Sequence, residues 1–66
     1  MKLIINGETR EFESSKSLQE ILIELDLDGK VMAAAVNMEI VKQDKWSEFK
    51  PSDGDKLELL DFVGGG

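Results

Sequence analysis

Residues 2–25 read KLIINGETREFESSKSLQEILIEL, and two local patterns within this stretch decide the fold. The first pattern is the pair Asn6-Gly7, which lies between two strand-like runs. This pair predicts a β-hairpin, because a type I′ turn needs a positive φ at both central positions. We predict strands over residues 2–5 and 8–13, with Phe12 in the core.

The second pattern is a helix start at Ser17. Glu20 follows it by three positions, so each side chain can accept the other residue's backbone N–H in a capping box. Apolar residues then recur at helical spacing, namely Leu18, Ile21, Leu22 and Leu25. We predict a helix over about residues 18–25, packed on a sheet, with Gly29 as the left-handed residue after its end.

The remainder of the chain predicts further strands. Residues 31–36 are apolar with three consecutive alanines, and the flanking Gly29 and Asn37 favour a strand over a helix. A turn at 37–39 leads to a short strand at 40–41, and residues 56–62 form the last strand. One helix with four or five strands predicts an α+β fold, with the helix across one face of a mixed sheet.

Three polar or aromatic groups have ordinary structural interpretations. Trp46, on a predicted helical turn within residues 43–49, is interpreted as a plug at the core edge rather than a binding hot spot. Asp53, Asp55 and Asp61 are interpreted as a polar turn and its flank rather than a cation site. The serines at 14, 15 and 17 are cap and turn residues without a nearby base.

Composition excludes several classes of chemistry. The chain has 66 residues, with neither cysteine nor histidine. It therefore has no disulfide, thiol nucleophile or thiolate metal site, and no imidazole base. At this length the core is a single thin layer, which leaves no room for a deep enzyme pocket.

Fourteen acidic and eight basic residues give a formal charge of −6. A nucleic-acid partner is disfavoured because phosphate binding needs a basic face. The acidity serves either attraction of a basic protein partner or solubility alone, and the sequence leaves both open. No signal segment or membrane-spanning run is visible, so we expect a cytoplasmic protein without a membrane partner.

The chain ends in Val63-Gly64-Gly65-Gly66, directly after the last predicted strand. Glycine lets a partner's walls close tightly around the backbone, and four extended residues span roughly 13 Å. We therefore expect Val63, Gly64 and Gly65 to thread into a partner's active site and to present the carboxylate of Gly66. The predicted domain covers residues 1–63, with residues 64–66 as a flexible tail.

Several segments together resemble the ubiquitin-like β-grasp sulfur carriers, most closely the thiamine-biosynthesis family. They are Lys2–Glu8, Ala34–Asn37 followed by Ile40-Val41, Lys45-Trp46, Asp53–Asp55 and Val63–Gly66. The resemblance covers the whole chain and implies a β-grasp fold. The small subunit of molybdopterin synthase is the nearest alternative, but that family is longer and often carries prolines before its Gly-Gly.

The resemblance implies a chemistry for Gly66. An adenylyltransferase of the ubiquitin-activating type would use ATP and Mg²⁺ to adenylate its carboxylate. A persulfide derived from a cysteine desulfurase would convert the adenylate into a thiocarboxylate, and thiazole synthase would take the sulfur. The chain would be a co-substrate rather than an enzyme, and it would bind no cofactor or metal itself.

The last strand also predicts a docking patch for these partners. Alternation places Leu57 and Leu59 in the core and turns Leu60 and Phe62 outward. If the first and last strands pair, Ile4 lies beside them, so we predict a patch of Ile4, Leu60 and Phe62. Two alternative functions remain open, a non-covalent β-grasp binding module and a ubiquitin-like modifier of lysines.

Overall fold

The computed structural model describes residues 1–61, with the side chains of residues 1–60. Its elements are β1 (Lys2–Ile5), β2 (Glu8–Glu11), α1 (Leu18–Glu24), β3 (Val31–Val36), β4 (Glu39–Val41), a 3₁₀ turn (Gln43–Lys45) and β5 (Lys56–Asp61). The five strands form one sheet in the order β2-β1-β5-β3-β4. β1 and β5 pair in parallel and the other neighbours pair antiparallel, so the sheet is mixed, as predicted.

The first hairpin turns at Asn6 and Gly7, whose φ values of 49° and 87° are both positive, as a type I′ turn requires. β2 ends at Glu11, so the prediction of a strand through residue 13 was wrong at its end. The register pairs Lys2 with Glu11, and the next pair is made by Phe12, whose N–H donates to the Met1 carbonyl at 2.9 Å. The ladder stops there, but Phe12 is buried as predicted.

The predicted capping box is confirmed at the start of α1. The Glu20 N–H donates to Ser17 Oγ at 3.1 Å, and the Ser17 N–H donates to Glu20 Oε1 at 2.8 Å. The bond from the Ser17 N–H holds the pKa of the Glu20 carboxyl below its ordinary value of 4.5, because it stabilises the charged form. Leu18, Ile21 and Leu22 are buried against the sheet, and Leu25 is partly buried.

The end of α1 differs from the prediction. Asp26 is the left-handed residue directly after the helix, with a φ of 62°, whereas Gly29 has a positive φ of 79° but lies three residues further along. Its N–H donates to the carbonyl of Ile23 at 3.0 Å, and the N–H of Leu27 donates to that of Leu22 at 2.8 Å, which is the Schellman pattern. Leu27 packs against the core, so the chain turns back before it reaches Gly29. Aspartate tolerates the left-handed conformation that this turn needs.

The core lies between α1 and the inner face of the sheet. Its buried apolar residues are Leu3, Ile5, Phe12, Leu18, Ile21, Leu22, Val31, Ala34, Val36, Trp46, Leu57 and Leu59. Of the three alanines in β3, Ala34 alone is in this set, while Ala33 and Ala35 are half-buried. Trp46 is 5% exposed, which confirms its interpretation as a core plug.

Candidate functional site

The sequence predicts a reactive carboxylate at Gly66, and β5 is the last described strand before that residue. Phe62, Val63, Gly64, Gly65 and Gly66 lie outside the described residues, so their predicted roles stay predictions. β5 lies in the middle of the sheet, between β1 and β3.

The beginning of β5 is held by the predicted Asp53-Gly54-Asp55 turn. Asp53 Oδ1 accepts the Lys2 N–H at 2.6 Å, and Asp55 Oδ2 accepts the Ser52 N–H at 2.8 Å. Both carboxylates thus bind backbone groups, in agreement with the polar-turn interpretation. No group of three residues suited to holding a metal ion occurs in the part of the chain that the structure describes, and the Asp61 side chain lies outside it.

Asn37 supports this same end of β5 from the turn between β3 and β4. Its Oδ1 accepts the Lys56 N–H at 3.0 Å, its backbone N–H donates to the Lys56 carbonyl at 2.8 Å, and its Nδ2 donates to Asp55 Oδ1 at 3.0 Å. A turn asparagine therefore aligns the start of the strand. From the sequence, Asn37 is predicted only as a turn residue.

A second turn asparagine acts near the other end of β5. Asn6 Oδ1 accepts the Leu59 N–H at 2.8 Å, and Asn6 Nδ2 donates to the Leu59 carbonyl at 3.2 Å. The sequence predicts Asn6 for its turn conformation alone. The identity Asn-Gly gives no signal for a bond to a residue 53 positions away.

The outer face of the sheet, opposite α1, contains part of the predicted docking patch. Leu60 is 57% exposed on this face, as the alternation in β5 predicts. The expected contact with Ile4 was wrong, because the parallel register pairs Ile4 with Lys56. Four residues along a strand separate Lys56 from Leu60, which is about 13 Å.

Ile40 of β4 takes the place expected for Ile4. Ala33 pairs with Leu60, and Ala35 pairs with both Glu58 and Ile40, so the two alanines lie between the two large side chains. Ile40 is 71% exposed, and an open depression of about 540 Å³ lies over this region. We call Leu60, Ile40, Ala33 and Ala35 the outer patch.

The sequence contained a signal for Ile40. A two-residue turn at Asn37 and Met38, both with positive φ, pairs residue 36 with 39 and residue 35 with 40. Residue 40 therefore shares a face with Ala35.

No helix in residues 1–61 has the length and apolar character needed to cross a membrane.

The arrangement of one helix on a five-stranded mixed sheet matches known structures. The crystal structure of the thiamine biosynthesis protein ThiS from Geobacter metallireducens aligns with a TM-score of 0.82 and 28% identity, over 100% of both chains. The protein is therefore a ubiquitin-like β-grasp protein. The model of the ThiS family matches residues 3–66, and the chain belongs to the ThiS family.

Two curated relatives differ in how much of their length the chain spans. The sulfur carrier protein ThiS of Escherichia coli strain K12 is 27% identical over 66 residues, which cover 100% of both proteins. A thiazole synthase of Paramagnetospirillum magneticum is 44% identical over 66 residues. That match covers 100% of this chain but 20% of the synthase, so the chain spans about a fifth of that relative.

Proposed function

We propose that the chain carries sulfur for thiazole formation in thiamine biosynthesis, as a protein co-substrate rather than an enzyme. The observation that carries this proposal is the family match, which extends through Gly66, the residue that would bear the sulfur. The full-length match to a sulfur carrier and the 44% identity to part of a thiazole synthase support the same pathway.

The proposed chemistry takes place at the Gly66 carboxyl carbon. A C-terminal carboxylate has a pKa near 3.5 and resists nucleophiles when ionised. An adenylyltransferase of the ubiquitin-activating type, using ATP and Mg²⁺, activates it: a carboxylate oxygen attacks the α-phosphorus, and pyrophosphate leaves. The terminal sulfur of a persulfide, formed by a cysteine desulfurase, then displaces AMP. A second thiol cleaves the resulting S–S bond, which leaves the thiocarboxylate and a disulfide.

The composition suits this chemistry. The chain has no cysteine, so no side-chain thiol of its own competes for the activated carbonyl or for the sulfur. Thiazole synthase is the proposed acceptor of the sulfur, and the exchange takes place in the cytoplasm, where ATP is available.

The outer patch is the proposed docking surface for the adenylyltransferase and the thiazole synthase. Its four members are apolar, with Leu60 and Ile40 exposed, and the exposed Glu58 lines the same depression beside them. Leu60 belongs to β5, the last described strand before the tail. Exposed apolar residues grouped on one face are typical of protein-binding surfaces. Ile40 replaces Ile4 as the neighbour of Leu60 in this surface, and the membership of Phe62 stays a prediction.

Intact-mass spectrometry of the cellular protein tests the proposal. Protein from cells grown with ample sulfur should show a fraction heavier by one oxygen-to-sulfur exchange, and fragmentation should place this change at Gly66. Conjugation of Gly66 to lysines of other proteins would instead support a modifier. Sulfur transfer to a molybdopterin precursor and not to thiazole would support the molybdopterin alternative, and an unmodified Gly66 would favour a non-covalent binding module.

A further inference from the structure

β5 loses its partner β1 shortly before the tail begins. The parallel ladder pairs Ile4 with Lys56 and Ile5 with Leu57, and the Asn6 N–H donates to the Leu57 carbonyl at 2.9 Å. At Asn6 the backbone turns away into the hairpin with a φ of 49°. No backbone group of β1 therefore continues along β5 to Leu59.

The Asn6 side chain fills the next position of the ladder. A primary amide has the same C=O and N–H groups as a peptide, and the amide of Asn6 uses both on the backbone of Leu59, at 2.8 and 3.2 Å. These bonds are part-buried, and they satisfy the two Leu59 groups that point toward β1. We call the pairing of β5 on both of its edges two-sided support. The Asn6 side chain thus extends the two-sided support of β5 by two residues.

Leu59 is the last residue of β5 with such support among the described residues. It pairs with Ala34 of β3 on one side and with Asn6 on the other. Leu60 and Asp61 pair with β3 alone, and the register shifts between Val31 and Ala33 there. Leu59 is therefore the last described residue at which β5 is held from both sides before the chain continues to Gly66.

We propose that Asn6 is a positioning residue for the reaction at the tail, acting through the backbone of Leu59. This inference rests on the function proposed above. Without the amide, two-sided support ends at Leu57, about 7 Å earlier along the strand. The released residues must then be ordered when the partner binds, which weakens the encounter complex and leaves the chemical step unchanged.

A matched pair of variants tests this role, Asn6→Gly and Asn37→Gly. Both residues have positive φ in a two-residue turn and both bind the backbone of β5, but at opposite ends. Glycine retains the turn conformation at each position and removes only the side chain. The assay is ATP–pyrophosphate exchange with the adenylyltransferase of the same organism, at a temperature where circular dichroism shows that both variants are folded.

We expect Asn6→Gly to raise KM for the carrier about tenfold with kcat changed by less than about twofold, because binding is weakened and chemistry is not. Asn37→Gly should leave KM near the wild-type value. Amide hydrogen exchange should be faster at Leu59 in the first variant and at Lys56 in the second. Asn6→Asp retains an acceptor for the Leu59 N–H, so its KM should lie between those of wild type and Asn6→Gly.

An equal rise in KM for both glycine variants would overturn the inference, because a general destabilisation of β5 would then explain the effect. An unchanged KM in Asn6→Gly would also overturn it. If Asn6→Gly does not fold, Asn6→Asp replaces it in the test. A wild-type KM in Asn6→Asp, together with faster hydrogen exchange at the Leu59 amide, would then overturn the inference. Failure of the proposed function gives a different result, since the wild-type chain would then show no exchange.

Discussion

Trp46 donates its indole N–H to the carbonyl of Val41 at 2.8 Å, which ties the 3₁₀ turn to the end of β4. We expect Trp46→Phe to lower the free energy of unfolding by about 1–3 kcal/mol, because it leaves the Val41 carbonyl without this donor and shrinks a buried ring. Urea unfolding followed by far-ultraviolet circular dichroism measures the loss. An unchanged midpoint and slope would show that the bond contributes nothing to stability.

Leu22→Ala and Ile23→Ala compare a buried and an exposed position on the same turn of α1. The side chain of Leu22 is 1% exposed and that of Ile23 is 56% exposed. We expect Leu22→Ala to cost about 2–5 kcal/mol through lost burial and a cavity. Ile23→Ala should cost about 0.5 kcal/mol. Similar losses in denaturant unfolding would contradict the packing of the helix on the sheet.

The capping box makes stability depend on pH. The pKa of Glu20 is lowered in the folded protein by the Ser17 N–H, so its contribution is fully present above the ordinary value of 4.5. It is lost as pH falls through the lower folded value. Glu20→Gln retains a cap acceptor that does not titrate, so its unfolding free energy should fall less than that of wild type below about pH 4.5.

The control for this pH experiment is Glu39→Gln. It removes the same charge from an exposed residue of β4. Chemical unfolding at several pH values measures the free energy of unfolding. Its dependence on pH should be the same for Glu39→Gln as for wild type. The same flattening in both variants would assign the effect to net charge rather than to the cap.

Leu60→Asp tests the outer patch as a docking surface. We expect it to weaken binding to the adenylyltransferase about tenfold or more, because it places a charge in an apolar contact. Ile23→Asp is the matched control, since Ile23 is 56% exposed and Leu60 57%, but Ile23 lies on the helix side. Titration calorimetry measures both. Equal weakening, or unfolding of Leu60→Asp, would contradict the patch.

Changes to the tail test Gly66 as the reacting residue. Deleting Gly65 and Gly66, or adding one alanine after Gly66, should abolish ATP–pyrophosphate exchange, because the carbon proposed to react is removed or displaced. The melting temperature should not change, since these positions follow the last strand. An extended variant that exchanges as fast as wild type would show that Gly66 is not the reacting residue.

Local patterns in the sequence predicted most of the fold. Asn6-Gly7 predicted the first hairpin, the Ser17 and Glu20 box predicted the helix start, and alternation in β5 turned Leu59 inward and Leu60 outward. Each of these features depends on residues that are close along the chain. Their physical causes, namely turn conformation, cap hydrogen bonds and side-chain period, are fully present in a short segment.

Tertiary structure decided which distant residues meet. The register of β1 against β5 separates Ile4 from Leu60 and lets Asn6 bind Leu59, 53 positions away. With Leu27 packed on the core, Asp26 rather than Gly29 is likewise the left-handed residue directly after the helix, which ends at Glu24. Register and packing depend on how whole elements fit together, because a shift along a strand changes every contact while leaving each local pattern intact.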